Sequence, residues 1–256
     1  MIEKYLVKKI TEPVDWKITV PGSKSMTNRA LLMAVLSAGT VRVEGVLFSD
    51  DSRHFLACLV ALGFTVEIEE EKKCVTVTGC GGRIPRGEAV LDVGSAGTAA
   101  RFLAAMLGFS DGCYEIRCSA QMKRRPMAEL FDLLSGAGAK ITFLEEEGHL
   151  PVRITGCRYA RADKTAGETP RELSLDITKS TQFLSALLLI APMVPEGMKI
   201  HITSEKTDGS YIRITRKMMQ EFGVSVAFDG RDYEVPCRSS YRKETYMVEP
   251  DMSAAC

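Results

Sequence analysis

Three short stretches of this chain combine hydroxyls, cations and glycine in a pattern suited to holding an anion. Pro21, Gly22, Ser23, Lys24, Ser25, Met26, Thr27, Asn28 and Arg29 lead into the apolar run Ala30 to Leu36. Ser95, Ala96, Gly97 and Thr98 open the run Ala99 to Leu107, and Lys179, Ser180, Thr181 and Gln182 open Phe183 to Ile190. Each is a predicted helix start. The first-turn N–H groups of a helix lack intrahelical partners and its dipole makes that end positive, so added hydroxyls and lysines favour phosphate or carboxylate there. Ser25 and Arg29 lie one turn apart and can face the same side. The three starts make one site if the fold brings them to one surface.

The elements that must position them recur. Each apolar run is nearly uniform around the helix, which predicts burial on most sides rather than along one stripe. Each is followed by a strand (Thr40 to Glu44, Cys113 to Cys118, Met198 to Thr203) and then by a second helix that ends at a glycine: Gly63, Gly138 and Gly223. A glycine just past the last helical turn supplies the left-handed residue that stops a helix. Two strands complete each unit, the last being Cys74 to Thr78, Pro151 to Thr155 and Tyr233 to Pro236. The chain therefore predicts an α/β (α+β) fold of three βαβαββ units, over about 17–80, 88–156 and 171–238, with helices central and sheets outside. Residues 17–240 form one domain on this reading. Residues 1–16, with the run Tyr5 to Val7, and residues 241–256 fall outside it. The second of these begins a strand and a further helix, as though a second domain starts there, so a piece of a longer protein is expected, with both tails poorly ordered or paired with each other.

Composition narrows the partners. The 256 residues are 45% hydrophobic and 26% charged, with 33 basic and 33 acidic residues. That balance gives no overall field for nucleic acid or a membrane surface, so an anion site has to be local. No apolar run reaches the roughly 18 residues of a membrane span, and the first residues lack the apolar core of a signal peptide, so a cytoplasmic location is expected. Eight cysteines without a C-x-x-C pair and three scattered histidines offer no metal spacing.

Taken together, PGSKSMTNRALL, GSAGTAARFLAAML, MKRRPM, STQFLSALLL and VEPDMSAAC resemble the N-terminal half of the EPSP synthase (3-phosphoshikimate 1-carboxyvinyltransferase) family, in order and spacing over nearly the whole chain. The related UDP-N-acetylglucosamine enolpyruvyl transferases carry a lysine-asparagine pair in the first motif and a reactive loop cysteine. This chain has Lys24-Ser25, and no cysteine in Gln121 to Pro126. The resemblance implies an inside-out α/β barrel fold and transfer of the enolpyruvyl group of phosphoenolpyruvate to the 5-hydroxyl of shikimate 3-phosphate, without metal or organic cofactor. It further implies a cleft shared with a second, C-terminal half of the enzyme. By the same resemblance, Lys24 is catalytic and sits where both substrates meet. Ser25 and Arg29 hold the shikimate hydroxyl and carboxylate, Ser180 and Thr181 the 3-phosphate, Gln182 bridges the substrates and Tyr211 packs on the sugar ring. Gly97 and Arg125 serve phosphoenolpyruvate, with Arg124 as the alternative to Arg125. Thr98 and Arg101 stand behind them, with a helix cap and a structural ion pair as equal readings.

Two departures matter. Where the family usually has a third phosphate-binding serine, this chain has Asp208, whose charge repels phosphate unless the side chain turns away, so either the loop register is shifted and Thr207 or Ser210 serves, or phosphate binding is weakened. The catalytic carboxylates and second lysine belong to the family's other half; Asp251 resembles a structural position at its start. The expectation is a substrate-binding half that is inactive alone; the alternative is a non-catalytic anion-binding module or a decayed pseudo-enzyme.

Overall fold

The computed structural model describes residues 20–157 and 169–251, together with residues 9, 11 and 15. Three helices form its centre: α1 (Lys24–Leu36), α3 (Gly97–Gly108) and α6 (Thr181–Ile190). They pack against one another. Ala30 to Val35, Phe102 to Leu107 and Phe183 to Ile190 are almost entirely at 0% exposure, as their unbroken apolar sequence requires. Each fully buried Leu, Ile or Phe contributes about 1.5–3 kcal/mol of transfer free energy, so these helices are where the fold is held.

Outside them lie the second helices of each unit, α2 (Asp50–Ala61), α5 (Ala128–Gly136) and α7 (Ser210–Glu221). All three end the same way. Gly63, Gly138 and Gly223 have φ of 89°, 100° and 89°. The N–H of the following residue (Phe64, Ala139, Val224) reaches back to the carbonyl of Leu59, Leu134 or Met219. This is the 6→1 bond of a Schellman stop. A short helix, α4 (Ala120–Lys123), is inserted in the second unit, capped by Ser119.

Among the described residues the strands make three separate four-stranded sheets. In the second, β4 (Glu88–Asp92) runs parallel to β5 (Cys113–Arg117), which pairs antiparallel with β7 (Val152–Thr155), itself beside β6 (Lys140–Phe143). The third repeats this with β8 (Arg171–Leu175), β9 (Met198–Ile202), β11 (Asp232–Val235) and β10 (Ala227–Phe228). In the first, β1 (Thr40–Glu44), β3 (Cys74–Thr78) and β2 (Thr65–Glu69) take the corresponding places.

The fourth place in the first sheet is held from the other end of the chain. Strand β12 (Thr245–Met247) runs parallel to β1, pairing Val43 with Tyr246. Beyond it, Pro250 bridges Gly22, Ser23 N–H donates to the Glu249 carbonyl and Asp251 N–H to that of Pro21. This corrects the expectation that residues beyond about 240 stand apart from the three-unit domain: 245–251 are built into it. The buried Tyr246 ring, 5.1 Å from Phe222, is what seats the strand. The opening strand expected near 17, the run Tyr5 to Val7 and the helix start after Asp251 lie outside the described residues. No helix among the described residues is long and apolar enough to cross a membrane.

Candidate functional site

The starts of α1 and α3 meet the start of α7 and the side chain of Gln182 around a cleft of about 420 Å³, lined by Lys24, Ser25, Arg29, Asp51, Ser95, Gly97, Thr98, Gln121, Arg125, Gln182 and Tyr211. Neither α1 nor α3 has a side-chain cap at its N-terminus, so their first-turn N–H groups are left for a ligand. The start of α6 differs. Ser180 Oγ accepts the Gln182 N–H at 3.2 Å, so Ser180 acts as the N-cap.

Arg29 is the central feature. It is 1% exposed, yet no carboxylate among the described residues pairs with it. Its Nε–H donates to Thr215 Oγ1 at 2.8 Å, Nη1–H to the Ser25 carbonyl at 2.9 Å and Nη2–H to Ser185 Oγ at 3.4 Å. The guanidinium lies 5.4 Å from the Phe102 ring centre and 5.7 Å from that of Tyr211. Burial lowers its pKa to about 10, which still leaves it charged at neutral pH. Of five N–H groups three are committed within the protein, leaving one on each terminal nitrogen, the arrangement that receives a carboxylate edge-on.

Arg101 repeats this one unit later, its Nη1–H returning to the Gly97 carbonyl at 2.9 Å and its Nη2–H to that of Pro126 at 3.2 Å. It lies under the cleft rather than in it, over the Phe183 ring at 5.7 Å. Burial, with Arg125 nearby, lowers its pKa to about 10. The sequence left open a structural ion pair for Arg101; its partners here are two carbonyls. Arg125 lines the cleft and Arg124, the C-cap of α4, does not. A methyl on Gly97 would stand 2.5 Å from Arg125 Nη1 and 2.8 Å from Arg101 Nη1, so glycine is what admits both guanidinium groups. Thr98 Oγ1 accepts from Gln182 Nε2 at 3.4 Å, a bond that joins the second and third units across the cleft.

Thr181 is not in the cleft lining. It stands beside the Lys206 to Gly209 loop, where a side chain on Gly209 would meet the Thr181 methyl and the Lys206 stem, each 3.7 Å away. Asp208 is turned from the cleft: its carboxylate accepts from Arg213 at 2.7 Å and from the Tyr233 hydroxyl at 3.2 Å. Burial raises its pKa, but the bonds from Arg213, the Gly209 N–H and Tyr233 outweigh this and hold it low. No group of three His, Cys, Asp or Glu among the described residues is arranged to hold a metal ion.

Sequence reasoning missed Asp51, Gln121, Thr215 and Ser185. The acidic first turn of α2 was visible as Asp50 and Asp51, but nothing local says that Asp51 crosses to Lys24, whose Nζ lies 3.2 Å from its carboxylate. The pair is half-exposed on the lysine side (53%), and such pairs contribute about 0.2–1 kcal/mol. Asp51→Asn is therefore expected to shift the urea midpoint by the equivalent of less than about 1 kcal/mol; a larger loss would make the pair a structural element rather than part of the cleft.

The EPSP synthase (3-phosphoshikimate 1-carboxyvinyltransferase) family model matches residues 8–256. The 3-phosphoshikimate 1-carboxyvinyltransferase of a Sulfurovum species is 41% identical over 245 residues, covering 94% of this chain and 55% of the relative. That of Trichormus variabilis is 36% identical over 247 residues, covering 96% and 56%. The solved EPSP synthase from Acinetobacter baumannii is similar with a TM-score of 0.76 at 25% identity, over 93% of this chain and 50% of that one. The enolpyruvyl transferase NikO from Streptomyces tendae shares the fold, with a TM-score of 0.61 at 13% identity, over 94% of this chain and 53% of its own. The chain spans about half the length of the relatives it matches.

Proposed function

Because this chain belongs to the EPSP synthase family, we propose that it provides the shikimate 3-phosphate-binding half of a site that transfers the enolpyruvyl group of phosphoenolpyruvate to the 5-hydroxyl of shikimate 3-phosphate. The observation that carries this is Arg29, a buried guanidinium with no counter-charge among the described residues, held by neutral acceptors and opening into a cleft of uncapped helix starts. A protein keeps an unpaired buried cation at a cost, and an anionic ligand returns that cost on binding.

In this reading the shikimate carboxylate takes the two remaining N–H groups of Arg29, Ser25 meets the ring hydroxyls and Tyr211, half of it exposed at the cleft edge, covers the ring. The 3-phosphate goes to Ser180 and Thr181, with Lys206 beside them and Asp208 kept away by Arg213. Phosphoenolpyruvate lies on the α3 start against Arg125, and Gln182 sits between the two ligands. Lys24, with Asp51, stands where the 5-hydroxyl attacks. The hydroxyl oxygen bonds to C2 of the enolpyruvyl group while a proton is added at C3, giving a tetrahedral adduct; loss of phosphate and of a C3 proton restores the double bond. Proton transfers of this kind need acid and base groups within hydrogen-bond reach on both sides of the reacting atoms. The cleft has one wall here, and we place the other in a partner C-terminal half.

Calorimetric titration beside a phosphate-release assay tests this. Shikimate 3-phosphate is expected to bind weakly to the chain, since one face of the ligand stays in water, with no phosphate release on adding phosphoenolpyruvate until the complementary half is supplied. Release by the chain alone would remove the half-site reading. Absence of both binding and rescue would leave a non-catalytic anion-binding module.

A further inference from the structure

We propose that Thr215, assisted by Ser185, is a positioning residue that aims the Arg29 guanidinium at the ligand and ties it to Tyr211. The assignment rests on the reading of Arg29 as the partner of the ligand carboxylate. Thr215 and Ser185 are both 0% exposed and lie on α7 and α6, so neither reaches the ligand. Thr215 Oγ1 receives Arg29 Nε–H at 2.8 Å, stands 3.2 Å from Ser185 Oγ and 2.8 Å from the Tyr211 carbonyl oxygen. A hydroxyl has one proton. With that of Thr215 given to the Tyr211 carbonyl, its lone pairs take Arg29 Nε–H and the Ser185 hydroxyl, and Ser185 in turn accepts Arg29 Nη2–H at 3.4 Å. Every donor in the buried cluster then has an acceptor, apart from the one N–H on each terminal nitrogen of Arg29 that is left for the ligand.

The chemistry of those acceptors is what points to a role beyond packing. A buried arginine is ordinarily satisfied by a carboxylate, which would quench its charge and compete with the ligand. Hydroxyls fix the plane of the guanidinium and leave its charge whole. The same oxygen also holds the first turn of α7, where the Tyr211 ring lies over the guanidinium at 5.7 Å. One side chain therefore sets both the direction of the charge and the cover over it.

Thr215→Val keeps the shape and removes the hydroxyl. The readout is the ratio of affinities, by calorimetry on the full chain, for shikimate 3-phosphate and its carboxyl methyl ester, which retains the phosphate and ring but not the carboxylate charge. The wild-type chain is expected to prefer the acid by at least tenfold. Thr215→Val is expected to reduce that preference by about 3- to 10-fold, with any loss of ester affinity from a loosened Tyr211 ring smaller than the loss for the acid, and Thr215→Ser to restore it, since a typical hydrogen bond is worth a factor of that order. A purely structural defect would instead weaken both ligands together. If Thr215→Val does not fold, Ser185→Ala decides by the same ratio. Wild-type preference retained in both variants overturns the positioning role and leaves the proposed function standing. Equal affinity of the wild-type chain for acid and ester, or for neither, removes the carboxylate role of Arg29 and this inference with it.

Discussion

Arg29→Met is expected to weaken shikimate 3-phosphate binding by about 10- to 150-fold while leaving the fold as stable as before or more so. The binding loss follows from charge-assisted hydrogen bonds of about 1.5–3 kcal/mol. The stability effect follows from the lack of a counter-ion among the described residues. Burial lowers the pKa from the ordinary arginine value to about 10, which corresponds to about 3 kcal/mol against the charged form at about 1.36 kcal/mol per pH unit. The sign is that of a base whose folded pKa is depressed. The penalty is fully present below pH 10 and is relieved only as pH rises from there toward the ordinary arginine value, a range in which the unfolded chain still holds the proton. Methionine fills a similar volume, and Thr215 and Ser185, 3.2 Å apart, can satisfy each other once the guanidinium is gone. A gain of up to about 2 kcal/mol is consistent with buried ions replaced by apolar groups elsewhere. Urea denaturation and titration with the ligand, run on the same variant, separate the two effects. A variant that is clearly destabilised and binds normally would make Arg29 a structural residue and empty the proposed site of its main charge.

Gly79→Ala and Gly156→Ala are each expected to cost about 3 kcal/mol of stability, among the largest effects of any single methyl added to this chain. They occupy the same place in successive units, where the strand leaving the sheet crosses the end of a central helix. A Cβ on Gly79 would stand 2.5 Å from the Ala34 carbonyl oxygen and closer still to that of Ser37. On Gly156 it would stand 2.6 Å from the Leu107 oxygen and closer still to that of Ser110. These obstacles are backbone, so no rotamer change relieves them, and the next N–H (Cys80 to Val35, Cys157 to Gly108) holds the strand against the helix. Overpacking of this kind typically costs about 1–3 kcal/mol, and more when neither side can move. Gly136→Ala, with open space around it, is the control and should be neutral or slightly stabilising, as alanine is the better helix former. Equal midpoints for all three variants in urea would show that the crossing is looser than its geometry.

The periodic parts of this molecule were legible because their signals are local. Gly63, Gly138 and Gly223 stop three helices by a backbone conformation that an alanine strains to adopt, and the unbroken apolar runs of α1, α3 and α6 have no other place than the centre. Val41 and Val43 face the core from β1 as Val75 and Val77 do from β3, which alternation alone predicts. Lys24, Ser25, Arg29, Gly97, Thr98, Arg125, Gln182 and Tyr211 were nameable from their motifs, and the fold does bring them to one cleft.

What the sequence could not reveal depends on partners far apart in the chain. Strand β12 completes a sheet begun some two hundred residues earlier, and nothing near Tyr246 marks Val43 as its neighbour. Asp208 looks like an obstacle to phosphate until Arg213, one turn into α7, draws it aside. Asp51 and Thr215 lack any motif, and take part only because α2 begins, and the first turns of α7 run, beside α1. The residue types and their repeat thus determined a three-unit α/β domain by themselves, and named the residues of its candidate site. Which charges stay unpaired within it was decided by the tertiary structure, because the energy of a buried charge depends on which groups surround it.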